Sequence, residues 1–338
     1  MKILVGLSGG LDSTYAAYFL KKNGHDVTGA AVIMHEYTDL RAARESAEAV
    51  GIPFVKIDAR DAFQSKVVTK FVSEYCSART PNPCVECNPG VKFAALCEYA
   101  EKNGFDKVAT GHYSKVLFED GRYYIRRAGS GKDQSYVLWK LTQKQLSMLY
   151  LPLSDMEKEV IRSEASKLGF RAAEAKDSQE ICFIPDNDHA GFIERVTGKT
   201  FPKGNFVDPD GKPLGEHQGL IHYTVGQRKG LGIALGQPMF VKSLDPENNT
   251  VTLVPSGEEY QNEADISELS FMKLAPGDRV IDCEVRVRYS AKAVPCTVTV
   301  RGDSAHAVFR SPVRSVTPGQ SAVFYDGNDI LFGGVIVL

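Results

Sequence analysis

Hydrophobic and polar positions fall into two rhythms along the chain. In the first half, residues 2–7 (KILVGL) form an apolar run of strand length, and residues 12–23 repeat apolar side chains at helical spacing. Residues 26–34 and 54–58 read as further strands, separated by an Ala- and Glu-rich helix over 41–50. Helices over 62–76 and 90–102 lead to a strand at 107–110. Strands spaced by helices of this length predict βαβ units, a parallel sheet covered on both faces, and a ligand at the carboxyl ends of the strands. A short hairpin is predicted over 116–125, around Glu119-Asp120-Gly121, and helical patterns return at 135–140 and 157–168.

After about residue 200 the rhythm changes. Gly, Pro, Asp and Asn punctuate short Val/Thr/Phe runs at 250–254, 284–289 and 305–309, with turn signals at Asp210-Gly211, Asp303 and Asp326-Gly327. That predicts a small open β sheet followed by a barrel. The fold class is therefore α/β: an N-terminal parallel-sheet domain over 1–198, a small β-rich module over 204–260 and a C-terminal β-barrel over 265–338.

Composition narrows this only slightly. The chain has 338 residues, 43% of them hydrophobic and 24% charged, and is expected to be soluble and globular. No apolar run approaches the roughly 20 residues of a membrane span, and Met1 leads straight into a strand without a leader pattern. A cytoplasmic location follows as the expectation. With a net charge of -2, and eight basic against eight acidic residues from Asp265 onward, no bulk positive field draws in nucleic acid. Any RNA contact must depend on placement.

The first strand breaks at Ser8-Gly9-Gly10-Leu11-Asp12-Ser13 and resumes at once as a helix. Paired glycines and hydroxyls at a helix start leave backbone amides aimed at one spot, which suits a phosphate. Two other phosphate-like stretches fail on spacing. Gly198-Lys199-Thr200 lacks the Walker glycine, because Ile193 stands there, and Gly230, Gly232 and Gly236 are one residue too long for a dinucleotide fingerprint. The SGGLDS stretch lacks a Walker lysine and resembles the PP-loop of ATP pyrophosphatases (adenine nucleotide alpha hydrolase-like), enzymes that adenylate a substrate and release pyrophosphate.

Seven cysteines form an odd set without a small secreted scaffold, so reactivity is a better expectation than a disulfide framework. Residues 79–88 (RTPNPCVECN) place Cys84 and Cys87 in a proline-stiffened loop near Arg79 and a helix start, where a thiol pKa can be depressed. Taken alone this CxxC has three bland readings, half a zinc site, a redox pair or two idle thiols, and no second CxxC or close His-x-His completes a zinc site. Cys182, in the run 177–186 (DSQEICFIPD), would alone read as a small buried residue.

Together SGGLDS, TPNPCVECN, ATGHY (109–113), KDQSYVL (132–138), DSQEICFI, HYTVGQRKGLGI (222–233) and SPVRSVTPGQSAVFYDG (311–327) resemble the tRNA-specific 2-thiouridylase family, in order and across nearly the whole chain. The resemblance implies a sulfurtransferase that uses ATP to adenylate the C2 oxygen of the wobble uridine, U34, in tRNAs of the Lys, Glu and Gln types. A persulfide then replaces oxygen with sulfur. It further implies that Cys182 carries the persulfide and Cys87 is the nucleophile that pairs with it in a transient disulfide. Gly6, Leu7, Ser8, Gly9, Gly10, Leu11, Asp12, Ser13, Met34 and Gly111 would bind ATP. Asn82, Pro83 and Cys84 would face the target base. His112, Lys132, Asp133, Gln134, Arg288, Tyr289 and Gln320 would touch the tRNA. Mg²⁺ is expected with ATP, and the sulfur donor would be a cysteine desulfurase or a relay protein.

The chain departs from the family pattern at three places. Only residues 35–40 separate Met34 from the next helix, where many members carry a longer segment; Ser77-Ala78 stands where a glycine is common; and Cys84 stands where an aspartate is frequent. Cys84, Cys87 and Cys182 could instead hold three irons of a [4Fe-4S] cluster. Other readings are thiolation of a different RNA position, a PP-loop amide or amidine ligase using a nitrogen nucleophile, and an RNA-binding protein with a vestigial nucleotide pocket.

Overall fold

The computed structural model describes residues 1–129, 131–174 and 181–337. The strands of the first half are β1 (Lys2–Gly6), β2 (Asp26–Ile33), β3 (Phe54–Asp58), β4 (Lys107–Ala109), the hairpin β5 (Ser114–Glu119) and β6 (Arg122–Arg127), and β7 (Leu149–Tyr150). Five of them form a parallel sheet in the order β3-β2-β1-β4-β7, as the βαβ pattern predicts. Alternation along β1 divides two cores: Ile3 and Val5 pack with helices Leu11–Lys22 and Leu40–Val50, while Leu4 packs with helix Phe93–Lys102 on the opposite face. The reversal of strand order beside β1 puts the Ser8–Ser13 turn at the site where an open α/β sheet takes its ligand.

One prediction needs correction here. The chain around Cys84 and Cys87 is not a loop but a short helix, Pro83–Cys87, which widens into a π turn, Asn88–Lys92, and runs on as Phe93–Lys102. Asn82 caps it by accepting from the Cys84 amide, and Pro83 fills the first helical position, where its missing N–H costs nothing. Pro89 lies inside the wider turn, which relieves the clash its ring would make in a regular helix.

The second half supplies β8 (Gly204–Val207), β9 (Pro213–His217), β10 (Met239–Asp245) and β11 (Thr250–Pro255), an open four-stranded sheet in the order β10-β11-β8-β9. The last six strands are β12 (Tyr260–Phe271), β13 (Arg279–Arg286), β14 (Val294–Arg301), β15 (Ser304–Arg314), β16 (Ser321–Asp326) and β17 (Asp329–Val337). They close into a barrel because β12 pairs with both β15 and β17. β13 ends at Arg286, short of the predicted 289, since Arg288 leaves the ladder to donate to the Val225 carbonyl at 2.7 Å and the Thr317 hydroxyl at 2.6 Å.

The β5–β6 hairpin does not stay with the parallel sheet. It joins the barrel sheet through β6 and β17, at Arg126 opposite Asp329. Met272, Val323, Tyr325, Ile330 and Val335 from the barrel share one core with Leu4, Phe93 and Trp139. At Gly333 even a methyl would lie 2.6 Å from the Trp139 indole, so barrel and sheet meet without a gap.

Candidate active site

Between β1 and helix Leu11–Lys22 the chain turns through Gly9, at φ 82° in the left-handed region. A methyl there would also sit 2.5 Å from the Ala42 Cβ, so helix Leu40–Val50 rests directly on the loop. Gly10 caps the helix in extended conformation with no side-chain hydrogen bond, leaving the first-turn amides for an anion. The Ser13 hydroxyl donates to the Gly10 carbonyl at 3.0 Å and accepts from the Ser8 amide at 3.2 Å. It braces the loop from within. Gly111 presses on the same turn, where a Cβ would lie 2.5 Å from the Asp12 carbonyl carbon. Asp12 accepts from the Tyr113 hydroxyl at 2.7 Å and from Lys158 Nζ at 3.0 Å.

This loop opens on a cleft of about 660 Å³, a volume in the range of small-molecule sites. Its wall brings together Gly6, Leu7, Ser8, Asp12, Ser13, Met34, Gly111, His112, Gln134 and Cys182. Gly9 and Gly10, between them, are partly exposed, and Leu11 is buried. The short segment after Met34 contributes His35, Tyr37, Thr38 and Asp39, and Thr38 Oγ1 pins it by accepting from the Met34 amide at 3.3 Å.

The three cysteines are disposed unequally. Cys182 and Cys84 are exposed, while Cys87 is buried behind Met34, its thiol 3.5 Å from the Met34 sulfur. All seven cysteines are free thiols. Residues 177–180 of the DSQEICFI stretch lie outside the described residues.

The electrostatics reverse the expectation of depressed thiol pKa values. Burial pushes Cys87 up, opposed in part by the charge of Lys92. Cys182, although its surface opens on the cleft, is pushed up to about 12, first by the protein crowding it and then by the neighbouring Cys84 and Cys87. Arg79, the cation that the sequence places near these thiols, is instead engaged by Glu74 at 2.6 Å. His112 is held neutral, its pKa lowered to about 3 by burial and then by Lys92; its Nδ1 shares a hydrogen bond of 2.7 Å with Thr110.

Lys92 is the residue that sequence reasoning missed. It is the one Lys or Arg among the described residues on the cleft wall, and its field reaches Cys87, Cys182 and His112. Its place five residues beyond Cys87 gave no signal, because an ordinary helix sets such residues on different faces; the wider π turn over Asn88–Lys92 is what brings them together.

Several residues expected to face RNA already have protein partners. Asp133 accepts from the Ser135 hydroxyl at 2.9 Å and from Arg286 at 3.0 Å. Gln134 and Tyr113 exchange two bonds, of 2.9 and 3.0 Å. Arg288 holds Val225 and Thr317, and Gln320 donates to the Thr80 carbonyl at 2.8 Å. Asn82 and Pro83 start the cysteine helix and lie off the large cleft, Asn82 lining a smaller cavity with Gly319 of the barrel. Lys132 is exposed, and Tyr289 is 44% exposed with its ring edge-on to Tyr136 at 6.0 Å. Among the described residues no three His, Cys, Asp or Glu side chains are grouped as a metal site.

Comparison with known proteins places this geometry. Three family models match in succession: the tRNA methyl transferase HUP domain over residues 1–186, the tRNA methyl transferase PRC-barrel domain over 190–255 and the aminomethyltransferase beta-barrel domain over 261–336. The chain is 42% identical over 351 residues to the tRNA-specific 2-thiouridylase MnmA of Clostridium acetobutylicum, covering 99% of each chain. It is 42% identical over 354 residues to the protein of the same name in Acetivibrio thermocellus, again covering 99% of each. The Clostridioides difficile counterpart is 39% identical over 352 residues, covering 99% of this chain and 98% of that one.

Proposed function

The chain belongs to the family of tRNA-specific 2-thiouridylases, and from that premise we propose that its cleft exchanges oxygen for sulfur at C2 of the wobble uridine. It is an ATP-dependent tRNA sulfurtransferase. The observation that carries the reading is the sharing of one wall by the Ser8–Ser13 turn and Cys182, which lets an activated base and a sulfur carrier meet. ATP enters as a substrate. The uridine O2 attacks its α-phosphate, pyrophosphate leaves, and the free amides of the glycine turn take up the developing phosphate charge. Mg²⁺, expected with ATP, would supply positive charge mainly on phosphate oxygens, with Asp12 the one carboxylate of the turn able to support it.

The terminal sulfur of a Cys182 persulfide then attacks C2. The Cys87 thiolate attacks the Cys182 sulfur, breaking the persulfide S–S bond, while AMP leaves with the former uridine oxygen. The products are 2-thiouridine and a Cys87–Cys182 disulfide, which an external thiol reduces. Because Cys87 starts buried behind Met34, this step requires the Met34 side or the cysteine helix to shift. Residues 1–198 serve as the catalytic domain in this reading, with 204–260 and 265–338 placing a tRNA of the Lys, Glu or Gln type. Asn82, Pro83 and Cys84 would receive the extruded base, and His112, Lys132, Asp133, Gln134, Arg288, Tyr289 and Gln320 would exchange protein partners for RNA. The sulfur comes from a cysteine desulfurase or a relay protein in the cytoplasm.

The test is to incubate the protein with ATP, Mg²⁺, a cysteine desulfurase with its cysteine substrate, and unmodified tRNA carrying U34, then digest the RNA and measure its nucleosides by mass. The expected product is 2-thiouridine at position 34, absent with Cys182→Ser. A product that persists in the variant removes Cys182 from the relay. AMP and pyrophosphate without any thionucleoside would remove sulfur as the nucleophile.

A further inference from the structure

The cysteine helix is held at its far side by charges that no step above uses. Glu86, next to Cys87, accepts from Lys70 Nζ at 3.1 Å and from Lys140 Nζ at 2.7 Å. Both lysines also reach Glu268 of the barrel, at 3.0 Å each. The four side chains alternate in sign around a ring, and three of them are mostly shielded, at 19% exposure for Glu86, 20% for Lys140 and 29% for Lys70. Glu268 sits at φ 50°, in the left-handed region, where the β12–β17 register slips between Ser267 and Ser270. A glutamate gains nothing from that backbone, and glycine, asparagine or aspartate would fit it better. The side chain therefore accounts for its presence.

A second contact fixes the other end of the same segment. The Thr80 amide donates to the Pro318 carbonyl at 2.8 Å, Gln320 donates to the Thr80 carbonyl at 2.8 Å, and Gly319 packs so tightly on Thr80 that a Cβ would lie 3.0 Å from its nitrogen. The barrel thus holds the chain just before Asn82, at Thr80, and again within the helix, at Glu86. Ion pairs of this kind contribute little net stability, and their best-attested use is to fix one geometry.

We propose that Glu268 is a positioning residue for sulfur transfer: through Lys70 and Lys140 it orients Glu86, and so sets where Cys87 stands behind the cleft. The proposal deepens the reading above and rests on Cys87 as the thiol that closes the reaction. Removing the barrel's charge frees the helix to turn or fray, which misplaces the Cys87 sulfur while leaving the nucleotide loop untouched.

The test compares the full-length protein with Glu268→Gln, Glu268→Gly and Glu268→Asp. Gln keeps the shape and loses the charge, Gly relieves the backbone and loses the charge, and Asp keeps the charge in a conformation that suits it. Two readouts are taken: kcat and KM for ATP in tRNA thiolation, and the rate at which iodoacetamide labels Cys87, with buried Cys97 and Cys296 as internal controls. For Gln and Gly the expected result is a fall in kcat of about tenfold with KM for ATP within about twofold, as a small misplacement of a reacting group produces. Cys87 labelling rises severalfold while Cys97 and Cys296 stay protected, and Asp stays near the parent on both measures. Unchanged Cys87 labelling in the Gln and Gly variants overturns the proposal, as does labelling that rises at all three cysteines together, which marks general loosening. If the parent protein thiolates no tRNA, the functional reading falls, and the labelling arm still decides whether Glu268 holds the helix.

Discussion

At the scale of single residues the site is governed by what burial does to charge. A thiol that attacks must lose its proton, yet the surroundings push Cys182 up to about 12 and raise Cys87 as well. The sign gives a measurable profile. Below its pKa the thiolate fraction grows tenfold per pH unit, so alkylation of Cys182 should rise steadily from pH 7 to pH 10 without a plateau. A rise that levels off above about pH 9 would show an ordinary thiol. Lys92 opposes these shifts, and its removal in Lys92→Met should slow Cys87 and Cys182 labelling by about threefold or more at fixed pH, because the positive charge that favours both thiolates is gone. Equal labelling in parent and variant would place the ammonium out of effective range. A terminal persulfide ionises more readily than a thiol, which makes Cys182 a better carrier in this setting than the raised pKa of the bare thiol suggests.

At the scale of elements the close approaches of backbone decide what the chain tolerates. Gly111 follows β4 and leaves no room for a side chain against the backbone of Asp12. Gly111→Ala should therefore displace the start of helix Leu11–Lys22, raising KM for ATP by about tenfold or more and costing roughly 1–3 kcal/mol of stability, as overpacking does. An unchanged KM together with an unchanged melting temperature would show that the two segments separate easily. The same scale explains where the sequence reading of elements went astray. Apolar periodicity restarts at Val91, so the sequence predicts a helix from 90 onward and a loop through the prolines before it. Pro83 instead stands at the first helical position and Pro89 inside a π turn, both places where proline is tolerated.

At the scale of the whole molecule the barrel is joined to the catalytic half by charge as well as by a common core. Asp329 is buried and accepts from Arg126 at 3.0 Å and from Lys273 at 2.6 Å. Burial alone would raise its pKa, but these bonds outweigh it and hold the carboxyl below its ordinary value. Its contribution to stability is therefore complete above the unfolded pKa near 4 and is lost as pH falls through the lower folded value. Asp329→Asn should lose roughly 1–3 kcal/mol at pH 7 by chemical denaturation, and the gap to the parent should shrink below pH 4. A gap that stays constant across that range would mean the carboxylate is not the source. The alternation of short strands and helices was enough to establish the parallel sheet, the phosphate-binding turn and the β-rich second half, because periodicity and turn residues act through neighbours in the chain. Motifs likewise marked Cys84, Cys87 and Cys182 without any coordinates. What no local pattern could supply was the distance between such segments: that the 114–127 hairpin extends the barrel, that Cys87 lies buried while Cys182 opens on the cleft, and that Lys92 and Glu268 act on the cysteine helix. Those facts depend on which surfaces are removed from water together, and burial and long-range charge are properties of the packed molecule rather than of any stretch of its sequence.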